Sequence, residues 1–367
     1  MAFSAIGTYA CRALQQKLID YYGANTAEAK TMGSNALVRW LLSPQNTAGF
    51  LQIADGITQT VPGKKRAVAF ALDQPFCFDV CAIANVNCNT VRGDITNPTQ
   101  EIVFDMDGPA FRVCDSEGNP LRLVFDHADL AKYCTETDTS YITRQIARFN
   151  RRFIEAFDKR VGEQLEAMVG QNAQGEAITR IPFFIQHASG MVTLNPEATW
   201  YLDQTYSDIG GVGQFALIGG KVLNKLMMYA KWAGLSDAGI DLSAIDDISP
   251  YAFYDRFLDA TIGINQFFQL SPGAVQLVTF NENIGENNRR VTDLYTHSTF
   301  VDQATGLEVD FEWFYDPKCR TWTYEPNLSA QLAVAPPGGC GIPNANGVLL
   351  IEDCSGGATA PVCPESV

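Results

Sequence analysis

Apolar residues recur at alternating spacings of three and four along residues 139–169: Ile142, Ile146, Phe149, Phe153, Phe157, Val161, Leu165 and Met168. That rhythm predicts a helix with one continuous apolar stripe. Asp138, Thr139 or Ser140 is placed to cap its start, and Gly170 to stop it. Roughly 30 residues at about 1.5 Å rise give a rod of about 45 Å, longer than an ordinary globular helix. Its other side carries Arg144, Arg148, Arg151, Arg152 and Lys159. The period changes to two in residues 307–315, where Leu307, Val309, Phe311, Trp313 and Tyr315 share one face and Glu308, Asp310 and Glu312 alternate with them. This strand is the middle of a meander with 298–301 and 320–324, and its apolar face suits packing on the long helix.

Elsewhere the pattern is shorter-ranged. Residues 3–21 and 27–42 read as two modest helices, followed by a polar stretch to Pro62-Gly63, and together they look like an arm. From residue 64 to 133, short extended runs are broken by Asn97-Pro98, Asp107-Gly108-Pro109 and the turn at 115–120, and 110–113 with 121–125 reads as a β-hairpin. Residues 181–280 mix types: strands at 182–185 and 215–218, an amphipathic helix at 221–232, a helical stretch at 251–262, and a strand at 274–280 after Ser271-Pro272-Gly273. A polar linker covers 281–290, and the tail from Pro336, rich in proline and glycine, is expected to be irregular. The chain therefore divides into an arm (1–62), an extended β-hairpin loop region (63–136), one lobe built from 137–176 and 284–335, a second lobe at 177–283, and a tail (336–367). The class is α+β.

Composition narrows the function. Of 367 residues, 46% are hydrophobic and 18% charged, which excludes a disordered chain and leaves a globular one that hides surface against neighbours. A net charge of -15 argues against a surface built to hold nucleic acid, which needs a basic footprint. No run of about 18 apolar residues is present, so no membrane-spanning helix is expected. No basic region precedes the first apolar stretch, so no signal peptide is expected, and the 10 cysteines are expected as reduced thiols.

Candidate chemistry is sparse. Gly210-Gly211-Val212-Gly213 through Gly219-Gly220-Lys221 invites a phosphate-loop reading, but Phe215 and Val222 stand where glycine and Ser or Thr are needed, leaving a loop, a strand and a helix start. His187-Ala188-Ser189-Gly190 lacks the first glycine of a nucleophile elbow. His127, His187 and His297 read as structural. Cys77, Cys81 and Cys88 lack zinc-knuckle spacing. Asp105 with Asp107, Asp126 with Asp129, and Asp246 with Asp247 lack calcium-loop spacing and read as solvated carboxylates. Arg92-Gly93-Asp94 reads as a turn, and the sequon at Asn327 has meaning only after export. No catalytic, cofactor or metal site follows.

The order of parts resembles the HK97-type major capsid protein of tailed bacterial viruses over nearly the whole chain. The stretches that carry it are 139–170 for the spine helix, 215–232 and 267–283 for the axial domain, and 299–324 for strands that return to the peripheral domain. The resemblance implies an N-terminal arm, a hairpin that reaches over a neighbour, and a non-enzymatic subunit. It implies self-assembly as hexamers and pentamers into an icosahedral shell enclosing double-stranded DNA, without sequence-specific binding. It further implies location in the virion after assembly in the host cytoplasm, with portal, scaffolding and decoration proteins as partners. No long charged segment precedes the arm, so scaffolding is expected from a separate chain. Arg144, Arg148, Arg151 and Arg152, with Lys64 and Lys65 at the start of the hairpin region, are the candidate interface residues; no crosslinking motif is matched. An encapsulin-type compartment shares this fold, and a cytosolic α+β enzyme is the reading of a different class.

Overall fold

The computed structural model describes residues 35–53, 59–60, 67–73, 99–105, 110–126, 138–211, 213–233, 251–280, 290–291, 295–302, 305–335 and 346–355. Helix 3–21, Lys64, Lys65 and residues 74–98 lie outside them. Two short helices come first, α1 (Ala36–Leu41) and α2 (Pro44–Ile53). The long helix is α3 (Asp138–Glu166), of 29 residues. α4 (Ala198–Asp208) and α5 (Lys221–Ala233) complete the described helices.

α3 lies across an antiparallel sheet. Its central strand is β16 (Thr321–Val334), flanked by β15 (Glu308–Asp316), then β14 (Tyr295–Val301) and β13 (Arg290–Val291), while β12 (Val275–Phe280) pairs with the far end of β16. The expected alternation holds: Leu307, Val309, Phe311 and Trp313 are buried in one core with Ile142, Ile146, Phe153, Phe157, Val161 and Leu165 of α3. Aromatic contacts fill this layer, with Trp313 stacked on Trp322 at 5.0 Å and Phe149 edge-on to Tyr324 at 6.3 Å. The Tyr324 hydroxyl donates to Asn150 Oδ1 of α3 at 2.8 Å. Helix α3 ends at Glu166, four residues before Gly170, whose N–H donates to the Val348 carbonyl and whose Cα is pressed against Asn346. Close approach, and not a left-handed cap, is what glycine supplies there.

A second sheet of five strands runs β10 (Tyr251–Tyr254), β9 (Ala216–Gly219), β11 (Gln266–Leu270), β17 (Val348–Asp353) and β6 (Ile178–Ile181). Both faces are covered. Alternate residues Ala216, Ile218, Phe268, Leu270, Val348 and Leu350 face the core shared with α3 and α1, whereas Leu217, Phe267, Leu349 and Ile351 pack with Ala198, Leu202 and Tyr206 of α4 and Val222 and Leu226 of α5. Strands buried on both faces are apolar at every position, and the runs at 216–218 and 348–351 have that character. The hairpin β7 (Phe184–Gln186) and β8 (Val192–Leu194) sits beside this sheet. A third sheet pairs β1 (Gln59–Thr60), β2 (Ala67–Asp73) and β3 (Thr99–Asp105) antiparallel; β2 and β3 fall within the region expected to be extended, and β1 within the arm.

Four expectations are corrected. The tail is not irregular throughout: β17, drawn from it, is interior to the five-stranded sheet. Residues 251–262 are not helical: the aromatic run Tyr251–Tyr254 pairs parallel with β9, and only Leu258–Ala260 makes a short 3-10 turn. Within the arm, Ala36, Leu37, Val38, Trp40 and Leu41 are buried, because a helix apolar at every position but Arg39 is driven into the core. The hairpin expected at 110–125 forms only at its tip, where the Leu121 N–H donates to the Val113 carbonyl at 2.6 Å and the Asp115 N–H to the Asn119 carbonyl at 3.0 Å, while its flanks pair elsewhere. β4 (Ala110–Phe111) pairs with Leu328 and Ser329 of β16, β5 (Leu123–Asp126) pairs further along the same strand, and 112–122 loops out between them, pinched by the Cys114–Pro120 bridge.

Helix α2, within a stretch expected to be merely polar, starts with Pro44, whose missing N–H costs nothing at a first helical position. Its Asn46 is 1% exposed. The amide donates to the Leu41 and Val275 carbonyls at 3.1 and 2.6 Å and accepts from the Gly273 N–H at 3.0 Å. Asn46→Ala strands three buried backbone groups and is expected to cost about 2–3 kcal/mol, read as a lower urea midpoint at unchanged m-value.

Candidate assembly surface

The outward side of α3 is where charge gathers. Arg148, Arg151, Arg152, Lys159 and Arg160 are exposed, while Arg144 is half-buried. Glu155 organises them. Its side chain is 6% exposed and accepts from Arg151 Nε at 3.3 Å, Arg152 Nη1 at 2.7 Å and Arg256 Nη2 at 3.2 Å. Three guanidinium groups converge on one carboxylate, a basic cluster on a chain whose net charge is -15. The i, i+3 and i, i+4 spacings on the helix place Arg151 and Arg152 against Glu155, and Arg256 arrives from the end of β10. About two turns further on, Arg160 and Lys159 meet Glu163 at 2.6 and 3.7 Å.

Between this face and the 112–122 loop runs a groove of about 540 Å³. Phe111, Phe149, Phe153 and Phe157 line it together with Arg112, Arg152, Lys159 and Arg160. Phe111 is edge-on to Phe157 at 5.0 Å, and Arg112 pairs with Glu325 of β16 at 3.3 Å, which holds the loop root beside the helix. The loop itself is ordered by Asp115, whose carboxylate accepts the Glu117 and Asn119 N–H groups, both at 2.9 Å; the Asn119 side chain and N–H hold that carboxyl below its ordinary value. Leu121 and Val124 stay exposed at 44% and 47%, apolar groups on the same edge.

The other candidates resolve into structure. In the glycine-rich segment a Cβ at Gly219 would overlap Phe267 and one at Gly220 would overlap Asp259. The Asp259 carboxylate accepts the Lys221 N–H at 2.8 Å, so the start of α5 is capped from within the chain. His187 lies on the exposed β7–β8 turn against Thr193, and His297 is half-buried in β14. Cys77, Cys81, Cys88, His127, Asp107, Asp129, Asp246, Asp247 and Arg92-Gly93-Asp94 lie outside the described residues, and Asp105 is described there only in its backbone. Among the described residues no cluster of His, Cys, Asp and Glu is arranged to hold a metal, and no helix is long and apolar enough to cross a membrane. One thiol departs from the expectation of reduced cysteines: buried Cys354, just after β17, is disulfide-bonded, whereas Cys114 and Cys319 are free and exposed. The sequence found the arginines of α3 but missed Glu155, Arg256 and the groove. A glutamate three and four residues after two arginines was the available signal.

The molecule is thus a mixed α+β chain in which one long helix separates a buried sheet from a basic, partly apolar surface. It is similar to chains from phage capsid structures. A chain of the cyanophage A-1(L) capsid asymmetric unit shares 10% identity, over 86% of this chain and 94% of that one, with a TM-score of 0.49. A chain from Mycobacterium phage Bobi shares 9% over 83% and 90%, TM-score 0.47, and one from the capsid of Ralstonia phage GP4 shares 10% over 78% and 83%, TM-score 0.38. At these values the likenesses transfer neither residues nor roles. No protein-family model and no curated protein sequence matches the chain.

Proposed function

We propose that this chain is a major capsid protein of the HK97 type, a structural subunit that assembles with copies of itself, as hexamers and pentamers, into an icosahedral shell around double-stranded DNA. The observation that carries the reading is the two-sided long helix: one face is sealed in the core of the antiparallel sheet, and the other presents exposed arginines beside an aromatic groove on an otherwise acidic chain. Surfaces of opposite charge on one chain favour association of copies in a fixed register. In this reading α3 with β13–β16 is the peripheral domain, with α3 as its spine, and β12, from the stretch assigned to the axial domain, adds its pairing to the far end of β16. The five-stranded sheet with α4 and α5 is the axial domain, joined by β17 from the far end of the chain, and β2–β3 belongs to the extended loop. Arg144, Arg148, Arg151, Arg152, Lys64 and Lys65 are proposed at subunit contacts. The shell encloses DNA without gripping it, sits in the virion after assembly in the host cytoplasm, and draws on portal, scaffolding and decoration proteins.

Electron microscopy of the purified chain, alone and with a co-expressed scaffold, tests this. Hollow, uniform particles or regular hexamers and pentamers are expected. Small shells packed with protein would move the reading to an encapsulin-type compartment, and a monomer under every condition would overturn it.

A further inference from the structure

Three stretches of chain meet at two carboxyl groups that the assembly surface does not use. Asp158 projects from the buried stripe of α3, and Asp255 follows β10; both are 0% exposed. The Leu37 N–H donates to Asp255 Oδ2 at 3.2 Å, and the next N–H, of Val38, donates to Asp158 Oδ1 at 3.1 Å. The Phe257 N–H takes Asp255 Oδ1 at 3.0 Å, so both oxygens of Asp255 already accept backbone groups. Asp158 Oδ2 is buried and receives no such donor. The donors Leu37 N–H and Val38 N–H are consecutive in the chain, so the two buried carboxyls they reach lie side by side. Two buried carboxylates in contact do not both stay ionised, so they share one proton. Asp158 Oδ2 is the oxygen free to carry it and donate toward Asp255.

The surroundings do not compensate a second charge. From α1 the nearest cation is Arg39, with its guanidinium over the Phe253 ring at 5.4 Å. From α3 comes Glu155, itself held by Arg151, Arg152 and Arg256. From the segment after β10 come Arg256, Tyr254 and Asp259, the last occupied by Lys221. Among the described residues neither Asp158 nor Asp255 has a cationic partner within ion-pair distance. Burial first, and Asp255 second, hold the Asp158 carboxyl well above its ordinary value, and burial with Asp259 raises the Tyr254 hydroxyl.

We propose that Asp158 and Asp255 form a proton-dependent latch: the proton they share fastens residues 35–41 to α3 and to the end of β10, and its loss as pH rises frees that segment. The sign follows from the raised Asp158 carboxyl. Its contribution is complete below the ordinary value of 3.8 and is lost as pH climbs from there through the folded value, so the latch weakens as pH rises. Opening uncovers Leu37, Trp40 and Leu41, now buried, and re-solvates Asn35 Oδ1, which is buried without a partner. The latch does not depend on the capsid reading.

Amide hydrogen exchange of the full chain, followed from about pH 5 to about pH 9 and corrected for intrinsic rates, tests it. Protection of residues 36–41 is expected to fall with rising pH, with a slope approaching the tenfold per pH unit of one released proton, while β16 does not follow. Asp158→Asn places a permanent N–H donor where the proton sits and keeps an acceptor for Val38, so the profile flattens and the segment stays protected at high pH. Asp255→Asn removes an acceptor from either Leu37 or Phe257 and loosens the segment at every pH. A flat wild-type profile, an unchanged slope in Asp158→Asn, or identical behaviour of the two variants overturns the latch.

Discussion

Trp313→Ala is expected to remove about 3–5 kcal/mol of stability, enough to leave little folded chain at physiological temperature. Trp313 is 1% exposed at the middle of β15, stacked on Trp322 with ring planes 13° apart and tilted against Phe125 at 5.7 Å. It lies opposite Tyr324, the residue whose hydroxyl reaches Asn150 of α3. An alanine there opens a cavity the size of an indole in the layer on which the long helix rests, and β15 and β16, paired from Asp310 to Asp316, cannot close over it. Trp313→Phe separates volume from chemistry. The indole N–H is buried with no acceptor, so phenylalanine discards an unsatisfied donor along with part of the ring, and a cost of only about 1–2 kcal/mol is expected. Denaturant unfolding followed by circular dichroism gives both numbers. A loss below about 1 kcal/mol for alanine would mean that the sheet is not the support of the helix.

The parts of the fold that were legible in the sequence are those where one face is buried and the other wet. The stripe from Ile142 to Leu165 and the alternation from Leu307 to Trp313 each carry a period, and a period names both the element and its inner face. Elements buried on all sides carry none. Ala36–Leu41 and residues 348–351 are apolar at nearly every position, so their short runs looked like parts of an arm and a tail, and only tertiary pairing decides between helix and strand for such runs. Tyr251–Tyr254 failed for a related reason, because its partner β9 is distant in sequence and supplies the reason for extension. The excursion at 112–122 was legible as a turn, since Asp115 and Gly118 signal one, but the partner of its two flanks is β16, some two hundred residues away.

The same distinction applies to the functional surface. Arginines spaced along one side of a predicted helix were visible, but their arrangement depends on Glu155 and on Arg256, which the fold delivers from the end of β10. Asp158 stood in the apolar stripe of α3, four residues after Ile154 and three before Val161. A charged residue on a face otherwise committed to the core is a signal that something must satisfy it, and that something, Asp255 with the Val38 N–H, lies 97 and 120 residues away in sequence.

Reversing charge at Arg148 and Arg152 is expected to abolish assembly while leaving the subunit folded. Both side chains are on the outer side of α3, with Arg152 80% exposed, and Glu155 keeps Arg151 and Arg256 when Arg152 is replaced. Arg152 is exposed although Glu155 is buried, and that carboxylate keeps two other guanidinium partners, so Arg148→Glu with Arg152→Glu should cost the isolated subunit about 1–2 kcal/mol and move the thermal midpoint by a few degrees. A closed shell repeats each contact in every subunit, so a like-charge penalty of even about 1 kcal/mol per interface is multiplied across the particle. Salt provides the independent check. If the basic face draws an acidic neighbour, raising ionic strength to about 1 M shortens the screening length to about 3 Å and should slow wild-type assembly, whereas Arg→Lys at both positions should retain assembly and the same salt response. Particle yield by sedimentation, read beside the thermal midpoint of the unassembled subunit, separates the outcomes. Wild-type yield from the doubly reversed chain would show that this face of α3 is solvated in the shell and that the contacts between copies lie elsewhere.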